Sequence, residues 1–402
     1  MDQFCPYLDW IDSQQEQMLA RVKDWADINS HSLNINGLNV MLASLKREFS
    51  SLGAAARTIS LDSMEIIDPK GATKTLHLGS ALHLSKRQNA PIRFFFGGHF
   101  DTVYPVETDF INCMMVDQNT LVGPGVTDMK GGLAVMLTAL EALEKSPFAE
   151  SIGYEILLNP DEEIGSPGSS YLFKELSKNC RAALLFEPAF PDESLAGARK
   201  GSSNHTILVK GTSAHAGRDF FSGKSAIAAL SELLIRIHEL NHPEKDTTLN
   251  LGYIYGGGPV NIVPDLALCR INIRAISDEE MRLTESRLDE MIQELAKKHR
   301  VEARLFVESR RPPKPFDKAT EKLFMEIKKC GKKLGQKIEW NPTGGACDGN
   351  TVAAEGIPAI DSLGAIGGEI HTHNEFLLVD SLTKRAKLTA LYLMKAAYEK
   401  SR

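Results

Sequence analysis

Ile92-Arg93-Phe94-Phe95-Phe96-Gly97-Gly98-His99-Phe100-Asp101 is the stretch on which the fold turns. The run from 92 to 96 is short, apolar at four of its five positions and closed by two glycines, the pattern of a strand buried on both faces of an α/β sheet. His99 and Asp101 follow at its C-terminal end. Working outward, Gly123-Pro124-Gly125 precedes a stretch at 130–144 that sets Leu133, Met136, Leu137, Leu140 and Leu143 on one helical face. A second apolar strand follows at 152–158 and a third at 182–186, which runs into Glu187. Strand, helix and strand in alternation predict an α/β fold around a mostly parallel sheet.

Upstream, 14–27 and 37–52 carry apolar residues at three- and four-residue spacing and predict packing helices. Between 201 and 311 the pattern changes. Strands at 206–209 and 267–273 flank helix-like stretches at 225–240 and 278–298, which predicts a smaller α+β sandwich with an exposed sheet edge. Arg310-Arg311-Pro312-Pro313-Lys314-Pro315 should be extended, since each proline removes a donor and restricts the residue before it. It marks the return to the first domain, completed by a helix at 319–334, a turn at Gly344-Gly345, a helix from Asp348, a strand near 357–361 and a helix at 381–398. The expected division is a discontinuous domain of 1–200 and 312–402 with residues 201–311 inserted in it.

Composition narrows the function. The chain has 402 residues, 43% of them hydrophobic, long enough for about two domains with large cores. Its 46 basic and 52 acidic residues give a net charge of -6, too mild and too mixed for a nucleic-acid or anionic-membrane partner. Cys5, Cys113, Cys180, Cys269, Cys330 and Cys347 are scattered without a C-x-x-C pair, so they read as reduced thiols and not as a thiolate metal site. With no leader-like N-terminus and no apolar run near the ~18 residues of a membrane span, the expectation is a soluble cytoplasmic protein.

Ligand-type side chains recur where apolar runs end: His99 and Asp101, Asp128, Glu162 and Glu163, Glu187, and His371 with His373. Open α/β sheets gather ligands outside the carboxyl ends of their strands, so these positions can converge. Each has an ordinary reading alone: a solvated turn for Asp161-Glu162-Glu163, a helix N-cap for Asp128, surface imidazoles for the histidines. Together they favour a metal centre. Imidazole and carboxylate without thiolate suit zinc, or cobalt or manganese. Asp101, two residues after His99, has the spacing to orient it, and adjacent Glu162 and Glu163 diverge, so that one can bind metal while the other faces an attacking water.

Read in order, Gly98-His99-Phe100-Asp101-Thr102-Val103, Gly123 to Gly132, Asp161-Glu162-Glu163-Ile164-Gly165-Ser166, Phe186-Glu187-Pro188 and His371-Thr372-His373-Asn374-Glu375 resemble the motifs of the M20 metallopeptidase family, closest to its glutamate carboxypeptidase (carboxypeptidase G2-like) branch. The resemblance implies two zinc ions bridged by Asp128, His99 and Glu187 completing one ligand set and Glu163 and His371 the other, with Glu162 as general base and Asp101 beside His99. It also implies a cis Asp128–Met129 bond. His371 fits the family's His-x-x-Asn-Glu pattern and His373 does not. Gly211 to Gly217 resembles the lid-domain motif whose histidine, here His215, stabilises the oxyanion in the partner subunit's site. Gly256 to Pro264 and Ile273-Arg274 resemble the segments that bring an asparagine, here Asn261, and an arginine, here Arg274, to the substrate carboxylate; Arg311 also matches an arginine of that branch. Residues 201–311 would then be a lid and dimerisation domain, and the protein a homodimer.

The implied reaction is hydrolysis of an amide bond next to a free α-carboxylate. Removal of a C-terminal residue such as glutamate and release of an amino acid from an N-acyl group, as in acetylornithine deacetylase, desuccinylase and aminoacylase relatives, use the same residues. A metal-binding protein without catalysis is the third reading, weakened because every ligand and base position is filled. The Asn261 and Arg274 matches weigh against an aminopeptidase.

Overall fold

The computed structural model describes residues 1–68, 70–241 and 243–400. Its larger sheet has six strands in the order Ala55–Ser60, Ser80–Lys86, Ile152–Asn159, Ile92–His99, Ala182–Leu185, Ala359–Ile360. The last four run parallel to one another, and Ser80–Lys86 pairs antiparallel with both of its neighbours. Ile92–His99 is buried at every position but Arg93. Phe94 and Phe96 enter the core on one side and Phe95 that on the other, as the alternation of a strand requires. Phe94 meets Tyr392 of the C-terminal helix Asp380–Lys400 edge-on at 5.6 Å, and Phe95 meets Phe173 at the same separation on the far face. Burying each ring is worth roughly 1.5–3 kcal/mol. Gly98 is needed for closeness: a Cβ there would lie 2.7 Å from Met129 and 2.9 Å from Leu133, so helix Gly132–Lys145 could not lie this near the strand.

The inserted segment forms a four-stranded antiparallel sheet ordered Thr248–Gly256, Leu266–Ala275, Gly201–Lys210, Glu302–Arg311. Sequence reading found only its two inner strands. The outer two hide because bulges break their alternation, at Gly252 in one and Glu308 in the other. Helices Ala226–His238 and Asp278–His299 cover one face, around Ile207, Cys269, Ile271, Leu230, Leu233, Leu288 and Ile292. The longer helix carries its own end signals: Ser277 caps Glu280 N–H, Asp278, Glu279 and Glu280 fill the first turn, and Lys297, Lys298 and His299 the last. Thr248, Arg274, Ser202 and Arg311 stand in register across the four strands. After Arg311 the chain is extended through the prolines, and Lys314 exchanges main-chain hydrogen bonds with Arg199. The Lys314 ammonium is fully buried and donates to Asp361 Oδ2 (2.7 Å), Ala196 O (3.1 Å) and Ala359 O (3.3 Å), which pins the return crossing. Among the described residues no helix is long and apolar enough to cross a membrane.

Candidate metal centre and substrate cleft

Three adjacent parallel strands end together. His99 pairs with Asn159 at the close of Ile152–Asn159, so the Asp161-Glu162-Glu163 turn begins beside the histidine, and Glu187 follows two residues after Ala182–Leu185. The expected convergence is therefore real. His99, Asp128 and Glu163 each offer a ligand atom within 4.8 Å of the others. His99 Nε2 lies 3.0 Å from Asp128 Oδ1 and 3.7 Å from Glu187 Oε2, while His371 Nε2 lies 3.2 Å from both Asp128 Oδ2 and Glu163 Oε2. The two carboxylate oxygens of Asp128 thus face different histidines, a bridging disposition. Two imidazoles among three carboxylates, with no thiolate, form a donor set that fits divalent zinc, cobalt or manganese.

Asp101 is wholly buried and ties two parts of the site together. Its main-chain oxygen lies 3.0 Å from His99 Nδ1, leaving Nε2 to point at the carboxylates. Its side chain accepts from the amides of Glu162 and Glu163, each at 3.1 Å, and from Ser32 Oγ at 2.6 Å. Asp128 is no helix N-cap: its backbone is non-helical, the Asp128–Met129 bond is cis, and the helix proper starts at Gly132. What holds this loop is Glu375, a residue to which the sequence alone assigns no role. Buried, it accepts from the amides of Gly125 (3.1 Å), Thr127 (2.8 Å) and Asp128 (2.9 Å) and from the Tyr104 hydroxyl (2.6 Å). The one outward sign was an acidic residue set directly before the apolar strand Phe376–Leu378.

Charge crowding sets the proton affinities. Burial raises Glu163 to about 7, reinforced by the neighbouring Asp128 charge, and burial also raises Glu187 and lifts Glu162 well above the carboxylate range against the opposing pull of Arg311. Hydrogen bonds to Asp128 and Glu163 push His371 up to about 11. Burial alone would lower His99, but its hydrogen bonds to Asp101, Asp128 and Glu187 win and hold it well above the ordinary imidazole value. Such a cluster carries more negative charge than its two imidazoles neutralise, which is what a cation relieves.

The cluster forms one wall of a cavity of ≈450 Å³ whose lining includes Asp128, Glu162, Glu163, Glu187, His371, Arg199 and Arg274. Arg274 reaches it from the lid strand Leu266–Ala275, its Nε donating to Asn272 Oδ1 (2.8 Å) and its Nη1 to Gly344 O (3.2 Å). Arg311, expected beside the substrate carboxylate, is buried next to a smaller cavity shared with Arg274 and His371, and its guanidinium is taken up by Glu162, Ser166 and Asp348. His215 and Asn261 are outside the cavity. They lie side by side on the surface, His215 bridging to Ile262 and the Ala216 amide donating to Asn261 O (2.9 Å). His373 stacks on Phe110 at 5.3 Å and 14°, away from the ligand cluster.

Comparison with known proteins agrees with this geometry. The chain is 28% identical over 302 residues to carboxypeptidase G2 of Pseudomonas sp. (strain RS-16), covering 74% of this chain and 72% of that protein. It is 27% identical over 321 residues to the succinyl-diaminopimelate desuccinylase of Nitrosococcus oceani, covering 74% and 82%. In fold it resembles an M20 family metallo-carboxypeptidase from Sulfolobus solfataricus, with a TM-score of 0.72 at 16% identity over 95% of this chain and 99% of that one. The family model for peptidase family M20/M25/M40 matches residues 95–395, a span that takes in every ligand position, and the protein is a metallohydrolase belonging to that family.

Proposed function

We propose that the protein hydrolyses an amide bond next to a free α-carboxylate, as a carboxypeptidase of the glutamate carboxypeptidase kind acting on small peptides or N-acyl amino acids. The observation that carries this is Arg274. Its guanidinium opens into the same cavity as Glu162 and the ligand cluster, yet among the described residues no carboxylate stands within ion-pair distance of it. A half-buried guanidinium with no counter-ion, its Nε and Nη1 held by Asn272 and Gly344 and its Nη2 still unengaged, is suited to a substrate carboxylate.

His99, Asp128, Glu163, Glu187 and His371 would hold two zinc ions, with cobalt or manganese as alternatives. Such ions, when bound, supply Lewis acidity, bringing water toward a pKa of ~7 and offsetting developing negative charge. Glu162 accepts the proton of the attacking water and returns it to the leaving nitrogen. Asp101 keeps His99 Nδ1 occupied and the Glu162 amide in place. Arg274 orients the substrate through its carboxylate. The exposed pair His215 and Asn261 suits a role in trans: Asn261 follows the edge strand Thr248–Gly256, whose Ile254 is exposed, as is Val260 just after it, apolar surface that a homodimer would cover. We further place the protein in the cytoplasm, with its six thiols free. A deacylase acting on N-acyl amino acids is the second reading, favoured by the likeness to the desuccinylase. Turnover of N-acyl amino acids, C-terminal dipeptides and their C-terminal amides by the zinc-loaded protein tests the proposal: acids should be cleaved and amides spared, and equal efficiency on both would remove the carboxylate from recognition.

A further inference from the structure

Two arginines of the lid sheet face the catalytic turn from one cross-strand row, Arg274 and Arg311 flanking Ser202. Directly opposed residues of an antiparallel sheet share a face, so both guanidinium groups extend toward the Glu162 turn. Their surroundings differ. Among the described residues Arg274 has no carboxylate partner, and its Nη2 makes no hydrogen bond beside those of Nε to Asn272 and Nη1 to Gly344. Arg311 is buried, and its Nη2 lies 2.9 Å from the main-chain oxygen of Glu162, 2.9 Å from Glu162 Oε1, 2.7 Å from Ser166 Oγ and 3.2 Å from Asp348 Oδ1. Those partners are themselves tied together, since Ser166 Oγ donates to Asp348 Oδ1 and Asn159 Nδ2 donates to Asp348 Oδ2 (2.8 Å). Arg311 Nε is sealed in the interior without a partner.

We infer that Arg311 is a positioning residue for Glu162: it grips the peptide oxygen and the carboxylate of that residue at once and so fixes where the base points, leaving recognition of the substrate carboxylate to Arg274. The inference rests on the reading of Glu162 as general base. A substrate carboxylate on Arg311 would have to compete with Glu162 itself, which would disable the base it needs. The grip also sits at the end of strand Glu302–Arg311, one residue before Pro312, where the inserted chain re-enters the catalytic domain. Glu162 is held from the other side by the Glu162 amide on Asp101 Oδ1, so its turn is fixed between the sheet and the lid.

The test compares Arg311→Ala and Arg311→Lys with Arg274→Lys, all zinc-loaded. Misplacing a catalytic group by ~1 Å costs about 10²-fold, so Arg311→Ala should lose about that much in kcat with KM and metal content unchanged, keep the preference of acid over amide, and regain turnover when guanidinium is added. Arg274→Lys should instead raise KM and erode that preference. A crystal structure of metal-loaded Arg311→Ala should show Glu162 swung away with the five ligands in place; this arm reads the inference even if no substrate is turned over, a result that would defeat the proposed reaction alone. If Arg311→Ala does not fold, Arg311→Lys, which keeps the charge and loses the fork, is read by the same split. A rise in KM for acids with kcat intact, or Glu162 unmoved in the crystal, overturns the inference.

Discussion

Glu375→Gln is the sharpest test of how the Asp128 loop is built. In the native protein Oε1 accepts from the amides of Thr127 and Asp128 and Oε2 from the Gly125 amide and the Tyr104 hydroxyl, four donors on one buried carboxylate. A glutamine offers one acceptor oxygen and one amide group, so whichever way it turns, at least one main-chain N–H faces another donor. The favoured orientation keeps the carbonyl on Thr127 and Asp128 and turns the NH₂ toward Gly125 and Tyr104, whose phenol can also accept. One buried N–H is then unpaired at about 1–3 kcal/mol, and the remaining bonds lose their charge assistance, so the loss should be about 2–4 kcal/mol in all. The second consequence concerns metal. Removing a group that orients a ligand typically costs about 10–100-fold in affinity, and Asp128 is oriented through its own amide. Competition with a chelator reads the affinity, and denaturation of the metal-free protein reads the stability. Unchanged values in both would refute the idea that Glu375 holds the loop.

Other expectations follow from the same geometry. Because Asp128 presents one oxygen to each histidine, wild-type protein should bind about two equivalents of zinc per chain and Asp128→Ala should lose both; a plateau at one equivalent with full activity contradicts the bridge. Arg274→Lys keeps the charge but not the two-point contact, and should raise KM on free-carboxylate substrates while leaving metal content unchanged. If His215 serves the partner's site, heterodimers formed from inactive His215→Ala and inactive Glu162→Gln chains place both defects in one site and should regain about half of wild-type activity. Heterodimers that form and stay inactive would place His215 within its own chain or outside catalysis.

Much of the fold was legible because its deciding strands are buried on both faces. Phe94, Phe95 and Phe96 leave a helix or a half-exposed strand no sensible face, and the ligand residues stand directly after such runs, where a parallel sheet must gather them. The lid was less legible. Gly252 and Glu308 sit at bulges that spoil a period of two, so the strands at 248–256 and 302–311 carry no clean alternation. The partners of the site residues were hidden for another reason. That Arg311 meets Glu162 and Asp348, or that Glu375 meets the Asp128 loop, depends on contacts between segments 149, 37 and 247 residues apart, which no local spacing encodes. The resemblance to a family supplied His215 and Asn261, and the structure shows them side by side but away from the cleft of their own chain.

If Glu162 is the base over a metal centre built by its neighbours, turnover and metal binding should separate between Glu162 and Glu163. Turnover and metal content of zinc-loaded Glu162→Gln, measured beside wild type and Glu163→Gln on one N-acyl amino acid or dipeptide that the wild type cleaves, test it most directly. Glu162→Gln should keep its zinc and lose about 10²–10⁴-fold in kcat, whereas Glu163→Gln, which removes an oxygen lying 3.2 Å from His371 Nε2, should bind zinc less tightly. Equal loss of zinc in the two variants, or wild-type turnover in Glu162→Gln, would contradict it.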